Sequence, residues 1–183
     1  MRNPIPKELR RLRPKGLVEA VANRRDLPPE ALHLLLQKVE GDNLVEAGAR
    51  WPGLNSEMLE PHLSRLRGWE LYYAGCTWPD LTPEQLGSHL SRLEGTCLYY
   101  AGLEWRGLTS RMLAQSLSQL EDWRLFQVGR DWPGLTADDL RPHLPRMGTD
   151  DLRQALRDWP AHLLTPLRDD LESHLAFREL MGE

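Results

Sequence analysis

Isoleucine occurs once in this 183-residue chain, at Ile5, and valine is scarce. Strands favour β-branched side chains, so a chain this poor in them is not built on sheets. Cysteine is nearly absent too: Cys76 and Cys97 form no CxxC, and no histidine stands at finger spacing from them. That excludes a disulfide framework and a zinc module. No apolar run approaches the roughly 20 residues that span a bilayer, and the opening "MRNPIPKELRRLRPKG" lacks the apolar core of a secretory signal. A cytoplasmic protein without a membrane partner is expected. Catalytic motifs are missing as well: no Ser-His-Asp or Cys-His grouping can be assembled, so no enzyme activity, catalytic residue, metal or cofactor is expected.

What the chain has in abundance is leucine, 36 residues of it, within an apolar fraction of 40% that is sufficient for a core. Leucine without β-branched partners points to helix. The leucines are also periodic. Trp51, Trp78, Trp105, Trp132 and Trp159 recur every 27 residues, as do Leu44, Leu71, Leu98, Leu125 and Leu152. Gly48, Gly75, Gly102 and Gly129 make a third ladder, and Leu27, Leu54, Leu81, Leu108 and Leu135 a fourth. A fixed period of this length marks a repeat array whose units bury their apolar faces by stacking. The units start at residues 17, 44, 71, 98, 125 and 152, with Arg24 in the tryptophan slot of the first. Residues 1–16 read as a basic amino-terminal capping helix, 17–178 as the array, and 179–183 as a tail.

Inside one unit, Leu71, Ala74, Gly75 and Trp78 fall on one helical face. Proline follows tryptophan in "WPGL", "WPDL" and "DWPGL", which stops that helix. "LNSEML", "LTPEQL", "LTSRML" and "LTADDL" then supply an Asn or Thr N-cap for a second helix. Its stripe is Leu59, Leu63 and Leu66 in one unit and Leu86, Leu90 and Leu93 in another, with Gly68 or Gly95 ending it. The mid-helix glycine costs about 1 kcal/mol relative to alanine. Its recurrence is expected to admit the second helix of the same hairpin at close range. The strand-forming LxxLxLxxN frame fits "LRGWELYYA" but not its equivalents, and "TDDLRQALRDW" is plainly helical. The fold class is therefore all-α, a right-handed α-solenoid of about six helical hairpins.

Stacked short hairpins of this kind resemble the HEAT-like and leucine-rich-repeat-variant α-solenoids over residues 17–178. The unit is shorter than a typical HEAT repeat, and the iron-sulfur cysteine cluster of some variant repeats has no counterpart here. The resemblance implies a binding scaffold with a protein or peptide partner. A few members of such families grip nucleic acid, and rare ones are base-excision enzymes.

The candidate partner-binding residues share one outward slot on the first helix of each hairpin: Glu46, Tyr73, Tyr100 and Gln127. Their neighbours Tyr72, Tyr99 and Phe126 are expected between repeats. The alternative, nucleic-acid binding, would use Arg10, Arg11 and Arg13 in the amino-terminal segment together with a column of Arg65, Arg92 and Arg146 on the second helix, which Lys38 begins and Gln119 interrupts. Residues 1–25 carry a net charge of +6, whereas residues 26–183 carry −10. The body of the array would repel nucleic acid. His62, His89 and His143 form a column of their own; neighbouring repeats are about 10 Å apart, too far to share one metal.

Overall fold

A computed structural model of the chain describes residues 4–182. Those residues form twelve α-helices and three 3-10 segments, with no strand among them. No described helix is long and apolar enough to cross a membrane. The chain divides into two compact units, residues 1–92 and 93–183.

The first unit contains α1 (Pro14–Ala22), α2 (Pro29–Leu36), α3 (Gly41–Arg50), α4 (Ser56–Leu63), α5 (Gly68–Thr77) and α6 (Pro83–Gly87), closed by a 3-10 turn at Leu90–Arg92. The second contains α7 (Gly95–Glu104), α8 (Ser110–Ala114), α9 (Asp122–Asp131), α10 (Ala137–Leu140), α11 (Thr149–Asp158) and α12 (Ala161–Met181), with 3-10 segments at Leu117–Gln119 and Arg141–Arg146.

Helices α1, α3, α5, α7 and α9 alternate with shorter ones, as the caps and stops in the sequence require, and α11 is followed by the 21-residue α12. Asn55 Oδ1 accepts from the Met58 amide at 3.0 Å, and Thr82, Thr109 and Thr136 cap α6, α8 and α10 in the same way. Each of α3, α5, α7, α9 and α11 ends at its ladder tryptophan, which turns into extended backbone. After α3, α5, α7 and α9 the turn needs a left-handed residue two positions on from the tryptophan. Gly53, Gly107 and Gly134 provide it, and Asp80 adopts it at φ 57°.

In the hairpins of α6, α8 and α10 the second helix is not one continuous helix. After Gly87, Ala114 and Leu140 it tightens into a 3-10 segment, because serine, glycine and proline there favour the shorter ring over another α-turn. Gly68 and Gly95 do not end these helices; they open α5 and α7 with φ of +49° and +47°.

Burial follows the 27-residue register throughout. Ile5, Leu32, Leu59, Leu86, Leu113, Leu140 and Leu167 are all buried, and so are Leu9, Leu36, Leu63, Leu90, Leu117, Leu144 and Leu171. Each such leucine contributes about 1.5–3 kcal/mol of apolar burial. Both ladders begin before residue 17, so the segment expected to form a capping helix instead joins the register. Residues 7–11 are successive turns, with the Leu12 amide bonded to Leu9 O as the Val39 amide is to Leu36 O. At the other end no separate tail begins at 179: α12 runs on to Met181, held by Glu179 to Arg153 and by Arg178 to Pro145 O.

The glycine ladder has a different purpose from the one its position implied. A Cβ added to Gly48 would collide with the Trp78 indole, one at Gly102 with Trp132, and one at Gly129 with Trp159. These three glycines make room for the tryptophan of the following hairpin, not for the second helix of their own. Each of those indoles then donates to a carbonyl 33 residues back: Trp78 Nε1 to Val45 O at 3.0 Å, Trp132 to Tyr99 O at 3.0 Å and Trp159 to Phe126 O at 2.9 Å. Trp51 makes the same bond to Val18 O.

Candidate binding surface

With Leu, Ala and Gly of the long helices facing inward, the second and sixth residues of α3 and α5 face solvent. In the first unit these are Asp42 and Glu46 on α3 and Trp69 and Tyr73 on α5. Trp69 is 46% exposed and Tyr73 51%, whereas the ladder tryptophans are buried. Tyr72 is buried beside them, its ring meeting Trp69 edge-on at 5.3 Å and Tyr73 at 5.1 Å. The three rings form one aromatic ledge with Trp69 and Tyr73 on its outer side. Glu46 is exposed and pairs with Arg50 one turn on.

In the second unit Tyr100 on α7 and Trp123 on α9 are exposed. Arg124 is only 8% exposed and lies 4.1 Å from the Trp123 ring centroid and 5.1 Å from that of Tyr99. Its guanidinium donates to Thr96 Oγ1, to Gln127 Oε1 at 3.1 Å and to Glu121 Oε2 at 3.4 Å. Gln127 is thereby turned to a neighbour within the unit, half-buried, in contrast to its exposed counterparts Tyr73 and Tyr100. Tyr99 is half-buried and donates its hydroxyl to Asp131 Oδ2 at 2.6 Å. Burial, then that carboxylate, pushes the Tyr99 phenol up; Arg130 holds the Asp131 carboxyl below its ordinary range.

Trp69, Trp123 and Arg124 were not among the residues the sequence singled out. A signal was present: Trp69 and Trp123 are two periods apart and lie off the main tryptophan ladder.

The arginine column is occupied by backbone. Arg65 donates to Leu36 O at 3.1 Å and Val39 O at 2.7 Å; Arg92 to Leu63 O at 2.9 Å, Ser64 O at 2.9 Å and Leu66 O at 2.7 Å; Arg146 to Leu117 O at 3.3 Å and to Leu120 O. These carbonyls lie at and just past the end of the second helix of the preceding hairpin, where the helix dipole is negative; Leu36 O, Leu63 O and Leu117 O also accept from the backbone amide three residues on. The histidine column orients the clamps. His62, His89 and His143 each accept at Nδ1 from the arginine three residues on, at 2.8, 3.0 and 3.3 Å. His62 Nε2 is buried without a hydrogen-bond partner.

Burial first, and the adjacent arginine second, hold all three histidines below the usual imidazole range. A protonated ring has no lone pair at Nδ1 to accept from arginine. The unfolded chain takes up protons near pH 6.5 while the folded one resists, so stability is complete above that pH and falls as pH drops below it towards the folded values. Urea midpoints measured from pH 7.5 down to 5 are expected to decline in this window, above the range in which carboxylates titrate. The decline should shrink in the His62→Asn, His143→Asn variant. An unchanged slope in that variant would dissociate the histidines from the effect.

Arg11 and Arg13 are exposed, and Lys7, Arg10 and Arg11 line an open groove of about 570 Å³ beside Glu8. Arg10 Nε donates to Ile5 O at 2.8 Å. Arg24, in the tryptophan slot, pairs with Glu8 and Asp26, both at 2.8 Å.

No family model, curated protein or solved structure matches this chain.

Proposed function

We propose that this chain is a protein- or peptide-binding scaffold that works in the cytoplasm, built as a right-handed α-solenoid of about six 27-residue hairpins in the manner of HEAT-like and leucine-rich-repeat-variant proteins. The observation that carries this reading is the exposed Trp69–Tyr73 ledge. Five tryptophans of the ladder are buried to a few per cent, yet this pair is presented to solvent on a helix fixed by packing. Tyrosine and tryptophan dominate interface hot spots because they bring large area with few rotamers to immobilise. The wedges of Trp78, Trp132 and Trp159 against the hairpins before them support the rigid repeat architecture the reading requires.

Nucleic acid is the weaker alternative. The guanidiniums of Arg65, Arg92 and Arg146 are engaged by carbonyls, which leaves the amino-terminal basic segment as the main cationic surface, and residues 26–183 are strongly acidic.

A pull-down from native lysate with the tagged chain, with and without nuclease, tests the assignment. A partner is expected that survives nuclease and moderate salt and is lost from the Trp69→Ala, Tyr73→Ala double variant by a factor of about 30 or more, the effect of removing two hot-spot residues. Equal retention by the double variant would reject the ledge as the site. Loss on nuclease treatment alone would move the assignment to nucleic acid and to Arg10, Arg11 and Arg13.

A further inference from the structure

Trp69 and Trp123 occupy one slot of the 27-residue register, and the residues after them, Glu70 and Arg124, occupy the next. In the second unit this slot supplies a cation to the unit's own aromatics: Arg124 is buried under the Trp123 indole and beside the Tyr99 ring. In the first unit the same slot is reversed in charge. Glu70 is half-buried, and its Oε2 accepts from the Arg67 amide at 3.3 Å. Its Oε1 would stand 2.9 Å from a Cβ at Gly41, which places the start of α3, and with it Asp42, beside the start of α5. Glu46 follows Asp42 one turn along α3. The tryptophan slot therefore recurs with its charges exchanged: Arg67 precedes and Glu70 follows Trp69, whereas Glu121 precedes and Arg124 follows Trp123.

We propose that the Trp69–Tyr73 ledge docks a segment of a partner protein that carries lysine or arginine next to an apolar residue. The cation lies over the outer faces of Trp69 and Tyr73, Glu70 and Asp42 supply the opposing charge, and the apolar neighbour packs on the Tyr73 ring. This deepens the binding reading above and rests on it. A ring face attracts a cation, more strongly where water is displaced, and neighbouring carboxylates add to that attraction while repelling an acidic segment or a phosphate backbone. The Trp69–Tyr73 centroid distance of 5.9 Å, with the rings 32° from parallel, makes a ledge and leaves no cage between the rings. A guanidinium or ammonium therefore stacks on it from outside.

The test is selection of a random displayed peptide library on the folded full chain, followed by calorimetry of a selected peptide at low and high salt. The chains compared are wild type, Trp69→Ala, Tyr73→Ala, Glu70→Gln and, as a control, Trp123→Ala. All four side chains are at least partly exposed, and circular dichroism melts establish that each variant is folded. The expected consensus pairs Lys or Arg with Leu, Pro or an aromatic. Trp69→Ala should weaken binding about tenfold or more, Glu70→Gln about threefold, and added salt should weaken it further. Trp123→Ala should leave it unchanged. A neutral or acidic consensus that still depends on Trp69 would overturn the cation assignment and leave the ledge as a binding surface. Selected peptides indifferent to both Trp69→Ala and Tyr73→Ala would overturn the ledge as well. Self-association of the wild type in sedimentation, abolished by Trp69→Ala, would identify a second copy as the occupant and overturn the proposal of a separate partner.

Discussion

Gly48→Ala is expected to destabilise the first unit by about 2–3 kcal/mol, although alanine is the better helix former by about 1 kcal/mol. The added methyl has nowhere to go: it would overlap the Trp78 indole, with Cδ1 at 2.7 Å and the Nε1 and Cε2 atoms nearer still. These are ring atoms of a side chain buried to 5%, not the tip of a flexible one. Relief requires the indole to withdraw, which lengthens its 3.0 Å bond to Val45 O and opens the seam between two hairpins. Overpacking of this kind costs about 1–3 kcal/mol, and the stretched hydrogen bond about 1 kcal/mol more. A double-mutant cycle in urea separates the contributions. With Trp78→Phe in place the obstruction is smaller and the hydrogen bond already absent, so Gly48→Ala should be close to neutral there. An equal loss in both backgrounds would show that the glycine is required for some reason other than the indole.

Arg92→Met should cost about 2–3 kcal/mol, and Arg92→Lys should recover little of it. One guanidinium spans Leu63 O, Ser64 O and Leu66 O and is steadied by His89. An ammonium is a point donor and cannot reach three diverging carbonyls at once, so charge is kept while the fork is lost. Methionine retains the stem and removes the donors, which isolates the hydrogen bonds from the packing of the methylenes. Urea denaturation of the three proteins at pH 7.5 ranks them. If lysine matched the wild type, the arginine would be acting as a simple charge at a helix end, and the forked geometry would be irrelevant.

These two sites mark where the sequence could be read and where it stopped. Identical residues at fixed spacing made the period visible, and Trp-Pro and Thr N-caps located the helix ends, because both signals act within a few residues. The partner of Gly48 was not legible. Helical periodicity assigns a residue to a face but does not say which later segment lies against that face, and here it is a side chain 30 residues ahead. The arginine column was equally visible as a column, yet its role depended on carbonyls 26–29 residues earlier that no side-chain pattern announces. The break of the second helices into 3-10 segments was hidden because leucine spacings of three and four suit both helix types over so short a run. Tyr73 and Tyr100 were found from their angle on the helix alone. Trp69 and Trp123 were not legible in this way, since tryptophan fills that slot in only two repeats.

The bonds of Trp51, Trp78, Trp132 and Trp159 reach back 33 residues, and those of Arg65, Arg92 and Arg146 to carbonyl reach back 26–29. Contacts of such short and uniform span cost little chain entropy to close and place this fold among the fast-forming topologies. On the ribosome the consequence is vectorial. A hairpin needs only the next stretch of chain, about two to seven seconds of synthesis at roughly 5–20 residues per second, before the following indole locks over it. Within each unit a hairpin is thus sealed while the next is still being made.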